Sequence, residues 1–202
     1  MTASASEVIR RVLSRNPKRA IDDPSLAPAG IMLIVYPKDG EYCILLNKRT
    51  DTVEHHKGEI SFPGGSRDEE DKTLLDTALR ETEEEMGVRA RDIEVLGELD
   101  DVPTTSRFLM SPYVGTIPSS YDFRPSTIEV AEVLEIPISS LLDPENMRDE
   151  ARIVDGELER SPTYAHNGHL VYGATARVLA RFIELLDSAP AKEVPWKRKP
   201  PQ

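Results

Sequence analysis

The stretch Ala78-Leu79-Arg80-Glu81-Thr82-Glu83-Glu84-Glu85-Met86-Gly87-Val88 constrains this chain more than any other. Leu75, Ala78, Leu79, Thr82 and Met86 recur at helical spacing and form an apolar stripe that must lie against a core. Gly87 then supplies the left-handed residue that stops a helix. The last turns carry a run of glutamates, which is the unfavourable end. A helix C-terminus bears partial negative charge, so carboxylates there cost stability. Glu81 to Glu84 and Glu81 to Glu85 are i,i+3 and i,i+4 pairs, each repelling by roughly 0.2–0.5 kcal/mol. Glu81, Glu84 and Glu85 share one arc of the helix, whereas Glu83 points away. Three carboxylates gathered against the dipole call for a compensating cation, and hard oxygen donors suit Mg²⁺ or Mn²⁺. Taken alone, the helix also admits a bland reading as a solvated acidic face; the flanking residues decide between the two.

Upstream lie Phe62-Pro63-Gly64-Gly65, an acidic loop from Asp68 to Asp71, and the helix from about Lys72. The whole segment resembles the Nudix box: a glycine, five residues, a glutamate, seven residues, then Arg-Glu-apolar-x-Glu-Glu-x-Gly-apolar. Arg80, Glu81, Glu84, Glu85, Gly87 and Val88 match, with Thr82 in the apolar slot. Counting back from Arg80 puts the glycine at Ser66 and the glutamate at Lys72, whereas Gly65 and Asp71 each fall one position earlier. One extra loop residue, with Asp in place of Glu, accounts for both departures. Leu45-Leu46-Asn47-Lys48-Arg49-Thr50, Gly58, Phe62-Pro63-Gly64-Gly65 and Asp68 further resemble the signature of the coenzyme A pyrophosphatase branch. Pro112-Tyr113-Val114-Gly115, Glu129-Val130 leading to Ile136-Pro137-Ile138, and Tyr172-Gly173-Ala174-Thr175-Ala176 are similar to that branch's later landmarks. One departure concerns substrate: where the branch has Leu-Arg, this chain has Val53-Glu54.

The resemblance implies a fold, a reaction and a set of roles. The fold is α/β, a Nudix-type α/β/α sandwich with a mixed sheet. The reaction is metal-dependent hydrolysis of a diphosphate in a nucleoside-diphosphate-linked substrate. Coenzyme A or acyl-coenzyme A leads, and ADP-ribose, NADH and dinucleoside polyphosphates are alternatives. A nucleotide-binding regulator without catalysis is the reading from another class, disfavoured by the retained Glu81, Glu84 and Glu85. Glu81, Glu84 and Glu85 with the Gly65 carbonyl would bind Mg²⁺ or Mn²⁺, and Arg80 would pair with a neighbouring glutamate to hold it. The general base, or an additional ligand, comes from outside the box, with Glu129 and Glu132 as candidates and Glu59 and Glu98 behind them. Substrate contacts are expected from Lys48, Arg49, Lys57, Gly64, Gly65 and Arg107; Arg49 suits a bidentate grip on phosphate. Adjacent residues on an extended chain point apart, so His55-His56 is a poor transition-metal pair. His166 and His169 are expected at the surface.

The chain's 202 residues suit one sizeable core. Residues 1–25 read as an N-terminal helix and linker, 26–187 as the catalytic domain and 188–202 as a disordered basic tail. The helix is expected over Ser6 to Ser14 with Ser6 as its cap. Strands are expected at Ile31–Tyr36 and Tyr42–Asn47, joined by Lys38-Asp39-Gly40, then near Ile93–Leu99, Met110–Ile117 and Glu129–Ile136. A hairpin turning at Asp155-Gly156, a second turn at Asn167-Gly168 and a terminal helix from Val171 complete the pattern. The single Cys43 excludes an internal disulfide framework and reads as a buried small hydrophobe. No run is apolar enough to span a bilayer, and a net charge of −11 argues against non-specific nucleic-acid binding. A cytoplasmic enzyme with a small-molecule nucleotide substrate is expected, and a homodimer is compatible with the sequence.

Overall fold

A computed structural model describes residues 4–51, 57–154, 157–190 and 196. A mixed sheet forms the centre, built from β1 (Ala27–Lys38), β2 (Glu41–Arg49), β3 (Ile60–Ser61), β4 (Gly64–Ser66), β5 (Glu94–Glu98), β6 (Val102–Pro103), β7 (Phe108–Thr116) and β8 (Val130–Pro137). The main order is β3-β2-β1-β7-β5, with β4 pairing β1, β6 pairing β7 and β8 pairing β2. Strands β1 and β7 run parallel, and the other pairs are antiparallel. The β1–β2 hairpin turns at Asp39 and Gly40, both at positive φ, as the Lys38-Asp39-Gly40 signal implied.

Strand β1 is buried continuously from Ala29 to Tyr36 because both faces of the sheet are covered. Ile31, Leu33 and Val35, with Ile44 and Leu46 of β2, pack against α1 (Ala5–Arg15) and α4 (Gly173–Asp187). Met32, Ile34, Tyr36, Cys43 and Leu45 pack on the opposite side, against α2 (Leu74–Met86). This is the expected α/β/α layering. Cys43 is buried, and burial pushes its thiol up to about 11, which removes it as a nucleophile. Beyond the short helix α3 (Ile138–Leu141), the strands β9 (Met147–Val154), β10 (Glu157–His166) and β11 (His169–Val171) form a separate three-stranded sheet. Its second turn is Asn167-Gly168, both at positive φ. The expected turn at Asp155-Gly156 lies outside the described residues.

One terminal expectation is corrected. The cap of α1 is Ser4, not Ser6: the Ser4 hydroxyl accepts from the Glu7 N–H at 3.2 Å, and the Glu7 carboxylate accepts from the Ser4 N–H at 2.7 Å. This reciprocal box satisfies two otherwise orphaned donors, which a helix starting after Ser6 would forgo. At the other end, the tail is not wholly apart from the core. Trp196 is 4% exposed and meets Tyr42 edge-on, with ring centroids 6.4 Å apart. Residues 191–195 and 197–202 lie outside the described residues. The linker after α1 is also tied down, with Lys18 Nζ 2.7 Å from Asp101 Oδ1 and the Ile21 N–H donating to Asp101 Oδ2 at 3.0 Å.

Candidate active site

Helix α2 starts with a capping box between Thr73 and Asp76 and ends at Gly87, whose φ of 69° is the left-handed conformation expected from the sequence. Ala78, Thr82 and Met86 are fully buried, with Leu75 and Leu79 partly buried against the same cluster. The packing of this stripe sets the rotation of the helix. Glu81, Glu84 and Glu85 are thereby carried towards β4 and the end of β2, while Glu83 turns away to accept from the Ala90 N–H at 3.1 Å.

The compensating cations demanded by the acidic arc come, within the chain, from two arginines. Arg80 Nη1 donates to Glu81 Oε1 at 2.8 Å and to Glu84 Oε2 at 3.2 Å, and Arg49 Nη1 donates to Glu85 Oε1 at 3.3 Å. The predicted pairing of Arg80 with a neighbouring glutamate is thus present. Arg80 is itself held by Asp71, with Nε to Oδ1 at 3.2 Å and Nη2 to Oδ2 at 3.0 Å. Asp71 also accepts from the Thr77 hydroxyl at 2.9 Å and the Asp68 N–H at 3.0 Å. The Arg80 hydrogen bonds, then the Asp68 N–H, hold the Asp71 carboxyl well below the usual carboxylate range.

The three glutamates sit in unlike surroundings. Glu84 is the exposed one, and among the described residues only Arg80 orients it. Glu81 is half-buried, and burial raises its pKa against the opposing pull of Arg80. Glu85 is 2% exposed; burial pushes its pKa up to about 7, while Arg49 and the Gly64 N–H pull the other way. Glu85 Oε2 accepts from Asn47 Nδ2 at 2.9 Å and from the Gly64 N–H at 3.2 Å. Gly65 lies directly against Glu81, and a Cβ built there would meet the carboxylate at 2.6 Å. Only glycine allows that approach of backbone to carboxylate.

Among the described residues, no three acidic, His or Cys side chains converge on a single point. The candidate donors along this face of α2 are nonetheless all oxygens: the carboxylates of Glu81, Glu84 and Glu85, and the Gly65 backbone that lies against Glu81. That chemistry fits a hard divalent cation rather than a thiophilic one.

The candidate bases part company. Glu129 lies close enough to Glu81 and Glu85 to raise both pKa values further. Glu132, on β8, points instead to His169, with Nε2 3.3 Å from its Oε1. Glu98 pairs with Lys18 at 3.7 Å, away from the carboxylates. Among the expected substrate contacts, Arg49 and Gly64 touch Glu85, and Gly65 touches Glu81. Lys48 lies beside them on β2, in register with Ile60 and Glu132. Lys57 is exposed, and Arg107 is exposed near Asp23 rather than beside the glutamates. His166 bonds Ser140 Oγ through Nδ1 at 2.9 Å. Glu54, His55 and His56 lie outside the described residues.

Sequence reasoning assigns no role to Asn47 or Ser61, and it does not anticipate the Asp71–Arg80 bond. The signal at Asn47 is a carboxamide closing the apolar run Cys43-Ile44-Leu45-Leu46, since a buried polar group requires a partner.

The NUDIX domain family model matches residues 26–154 of this chain. A Photorhabdus laumondii protein described as the uncharacterized Nudix hydrolase NudL is 33% identical over 165 residues, spanning 81% of this chain and 86% of the relative. Its namesake from Yersinia enterocolitica is 34% identical over 137 residues, spanning 68% and 70%. Among solved structures, the Nudix hydrolase RenU from M. smegmatis aligns with a TM-score of 0.54 at 19% identity, covering 81% of this chain and 88% of that one. A MutT/nudix family protein from Enterococcus faecalis also gives 0.54, at 14% identity, covering 96% and 79%. At such identities these two structures bear on the fold alone.

Proposed function

This chain belongs to the Nudix hydrolase family, and from that premise we propose that it hydrolyses a diphosphate linkage within a nucleoside-diphosphate-linked small molecule, with Mg²⁺ or Mn²⁺ as cofactor. The observation that carries the reading is the Gly64-Gly65 backbone seated on the helix carboxylates, Gly64 N–H on Glu85 and Gly65 against Glu81, flanked by Arg49 and Arg80. Glu81, Glu84, Glu85 and the Gly65 carbonyl would hold the metal. When bound, the metal neutralises charge on the diphosphate oxygens and lowers the pKa of water.

The chain's own groups do the rest. Arg80, anchored by Asp71, fixes the Glu81 and Glu84 carboxylates on one face of α2. Arg49 places a guanidinium beside the site, and among the described residues its Nε–H is buried without a partner, a donor that a phosphate oxygen would satisfy. Lys48, Lys57 and Arg107 are the further cations proposed for substrate. Glu129 is the candidate to take a proton from the attacking water, because it is near enough to Glu81 and Glu85 to raise the pKa of both; Glu132 is the second candidate.

Coenzyme A or acyl-coenzyme A is the leading substrate, giving 3′,5′-ADP and 4′-phosphopantetheine or its acyl form. Support comes from Leu45-Leu46-Asn47-Lys48-Arg49-Thr50, Gly58 and Phe62-Pro63-Gly64-Gly65. Glu54, standing where that branch carries arginine, favours a second reading with a broader range including ADP-ribose, NADH or dinucleoside polyphosphates. The proposed setting is the cytoplasm; among the described residues no helix is long and apolar enough to cross a membrane.

A decisive experiment is a panel of coenzyme A, its dephospho form, ADP-ribose, NADH and dinucleoside polyphosphates, with Mg²⁺, Mn²⁺ or chelator, and product identification. Coenzyme A cleavage within the diphosphate supports the leading substrate. Cleavage of the other compounds without coenzyme A moves the assignment to the broader reading. No cleavage with either metal, alongside measurable nucleotide binding, overturns the enzyme in favour of a regulator.

A further inference from the structure

Asn47 is 1% exposed near the end of β2, and both ends of its carboxamide are used. Nδ2 donates to Glu85 Oε2 at 2.9 Å, and Oδ1 accepts from the Ser61 hydroxyl at 2.7 Å. Both Glu85 oxygens already accept, Oε2 from the Gly64 N–H and Oε1 from Arg49, so the amide must turn its NH₂ towards Glu85. That leaves Oδ1 for Ser61, and the serine hydroxyl must then donate. Ser61 on β3, Asn47 on β2 and Glu85 on α2 therefore form a chain of hydrogen bonds with one direction. The Gly64 N–H donates to the same Glu85 oxygen at 3.2 Å. Two neutral donors thus saturate Oε2. Oε1 remains to meet charge and, among the described residues, is held by Arg49 Nη1 alone, at 3.3 Å.

We propose that Asn47, braced by Ser61, is a positioning residue that fixes the Glu85 carboxylate so that Oε1 is the oxygen offered to a divalent cation. The inference rests on the reading of Glu85 as a metal ligand. A neutral donor suits this role because it orients the carboxylate without neutralising it, whereas a cation at residue 47 would compete for the same charge. Leucine at residue 47 keeps the volume but removes both bonds. Alanine at residue 61 removes only the brace and leaves the amide free to rotate.

The test is Mn²⁺ titrated into metal-free protein without substrate, with free Mn²⁺ read by electron paramagnetic resonance and the fold followed by thermal melting. Glu85→Gln serves as the benchmark for loss of the ligand. Asn47→Leu is expected to weaken Mn²⁺ binding roughly 10–100-fold, Ser61→Ala by a smaller factor, and Ser61→Thr, which retains the hydroxyl, to bind as wild type. In turnover, Asn47→Leu lowers kcat at saturating metal while KM for the nucleotide changes little. Mn²⁺ affinities of Asn47→Leu and Ser61→Ala within about twofold of wild type, with Glu85→Gln impaired, overturn the positioning role and leave the metal reading intact. Unchanged binding by Glu85→Gln removes the metal reading, and this inference with it. Should Asn47→Leu fail to fold, Ser61→Ala against Ser61→Thr decides, because neither touches the core.

Discussion

Asp71 and Arg80, nine residues apart, form a two-bond fork, with Nε to Oδ1 at 3.2 Å and Nη2 to Oδ2 at 3.0 Å. The fork ties the acidic loop to the helix whose glutamates form the candidate site. Arg80 in turn reaches Glu81 and Glu84, so the position of both carboxylates depends on Asp71, which bonds to neither.

The fork predicts a defined pH response. Arg80 and the Asp68 N–H depress the folded-state pKa of Asp71 below its ordinary 3.8. A depressed acid contributes stability above its unfolded pKa and loses it as pH falls towards the folded one. The melting temperature of wild type should therefore exceed that of Asp71→Asn at pH 7, and the gap should close progressively below pH 3.8. Arg80 loses its bidentate partner in the variant, so kcat should also fall roughly tenfold or more. A gap independent of pH would show that the carboxylate charge is not what the fork uses.

Glu85→Gln should abolish turnover while leaving the fold intact. It removes a buried charge from the unfavourable end of a helix, so without metal the variant should be as stable as wild type or more so. At a metal concentration about 100 times the dissociation constant, wild type should gain about 2.7 kcal/mol and the variant less. Activity within about tenfold of wild type would remove Glu85 from the metal site.

The two candidate bases should separate kinetically. Glu129→Gln is expected to lower kcat by about 10²–10⁴-fold, as for loss of a general base. Glu132→Gln removes a half-exposed pair with His169 and should leave kcat nearly unchanged. The reverse order, measured with saturating Mg²⁺, would transfer the role to Glu132.

Substrate range should respond to residue 54. The 3′-phosphate of coenzyme A adds negative charge that a carboxylate repels and a guanidinium attracts. Glu54→Arg should raise kcat/KM for coenzyme A more than for its dephospho form. Equal changes on the two substrates would show that residue 54 does not sense the 3′-phosphate.

Trp196→Ala should destabilise the protein by about 3–5 kcal/mol, the usual cost of deleting a buried aromatic. Urea unfolding monitored by far-UV circular dichroism gives the value. An unchanged midpoint would mean that the indole adds nothing to the core.

Much is legible in the order of residues because the signals are local. The apolar stripe of α2, the αL stop at Gly87, the Asp39-Gly40 turn and the continuous apolar run of β1 each reflect interactions within a few residues along the chain. The cap of α1 is equally local, yet Ser4 and Ser6 offer the same hydroxyl, and only the Glu7 carboxylate separates them. The contact of Trp196 with Tyr42 joins positions far apart in the chain, and no local signal announces it.

By itself, then, the sequence determined the layered α/β fold, the family and the arc of Glu81, Glu84 and Glu85, since periodicity and capping dictate which residues share a face. Tertiary structure alone decided what each carboxylate meets. Asn47 reaches Glu85 across 38 positions of chain, and the loop leading to Glu129 bonds to the same helix end, with the Ser126 N–H donating to the Glu85 carbonyl at 2.8 Å. Burial then makes three glutamates unlike: Glu84 stays in water, Glu81 is partly desolvated, and Glu85 is enclosed with its pKa pushed to about 7. The physical reason is that desolvation and long-range pairing belong to the packed environment, and a residue's neighbours in sequence do not specify its neighbours in space.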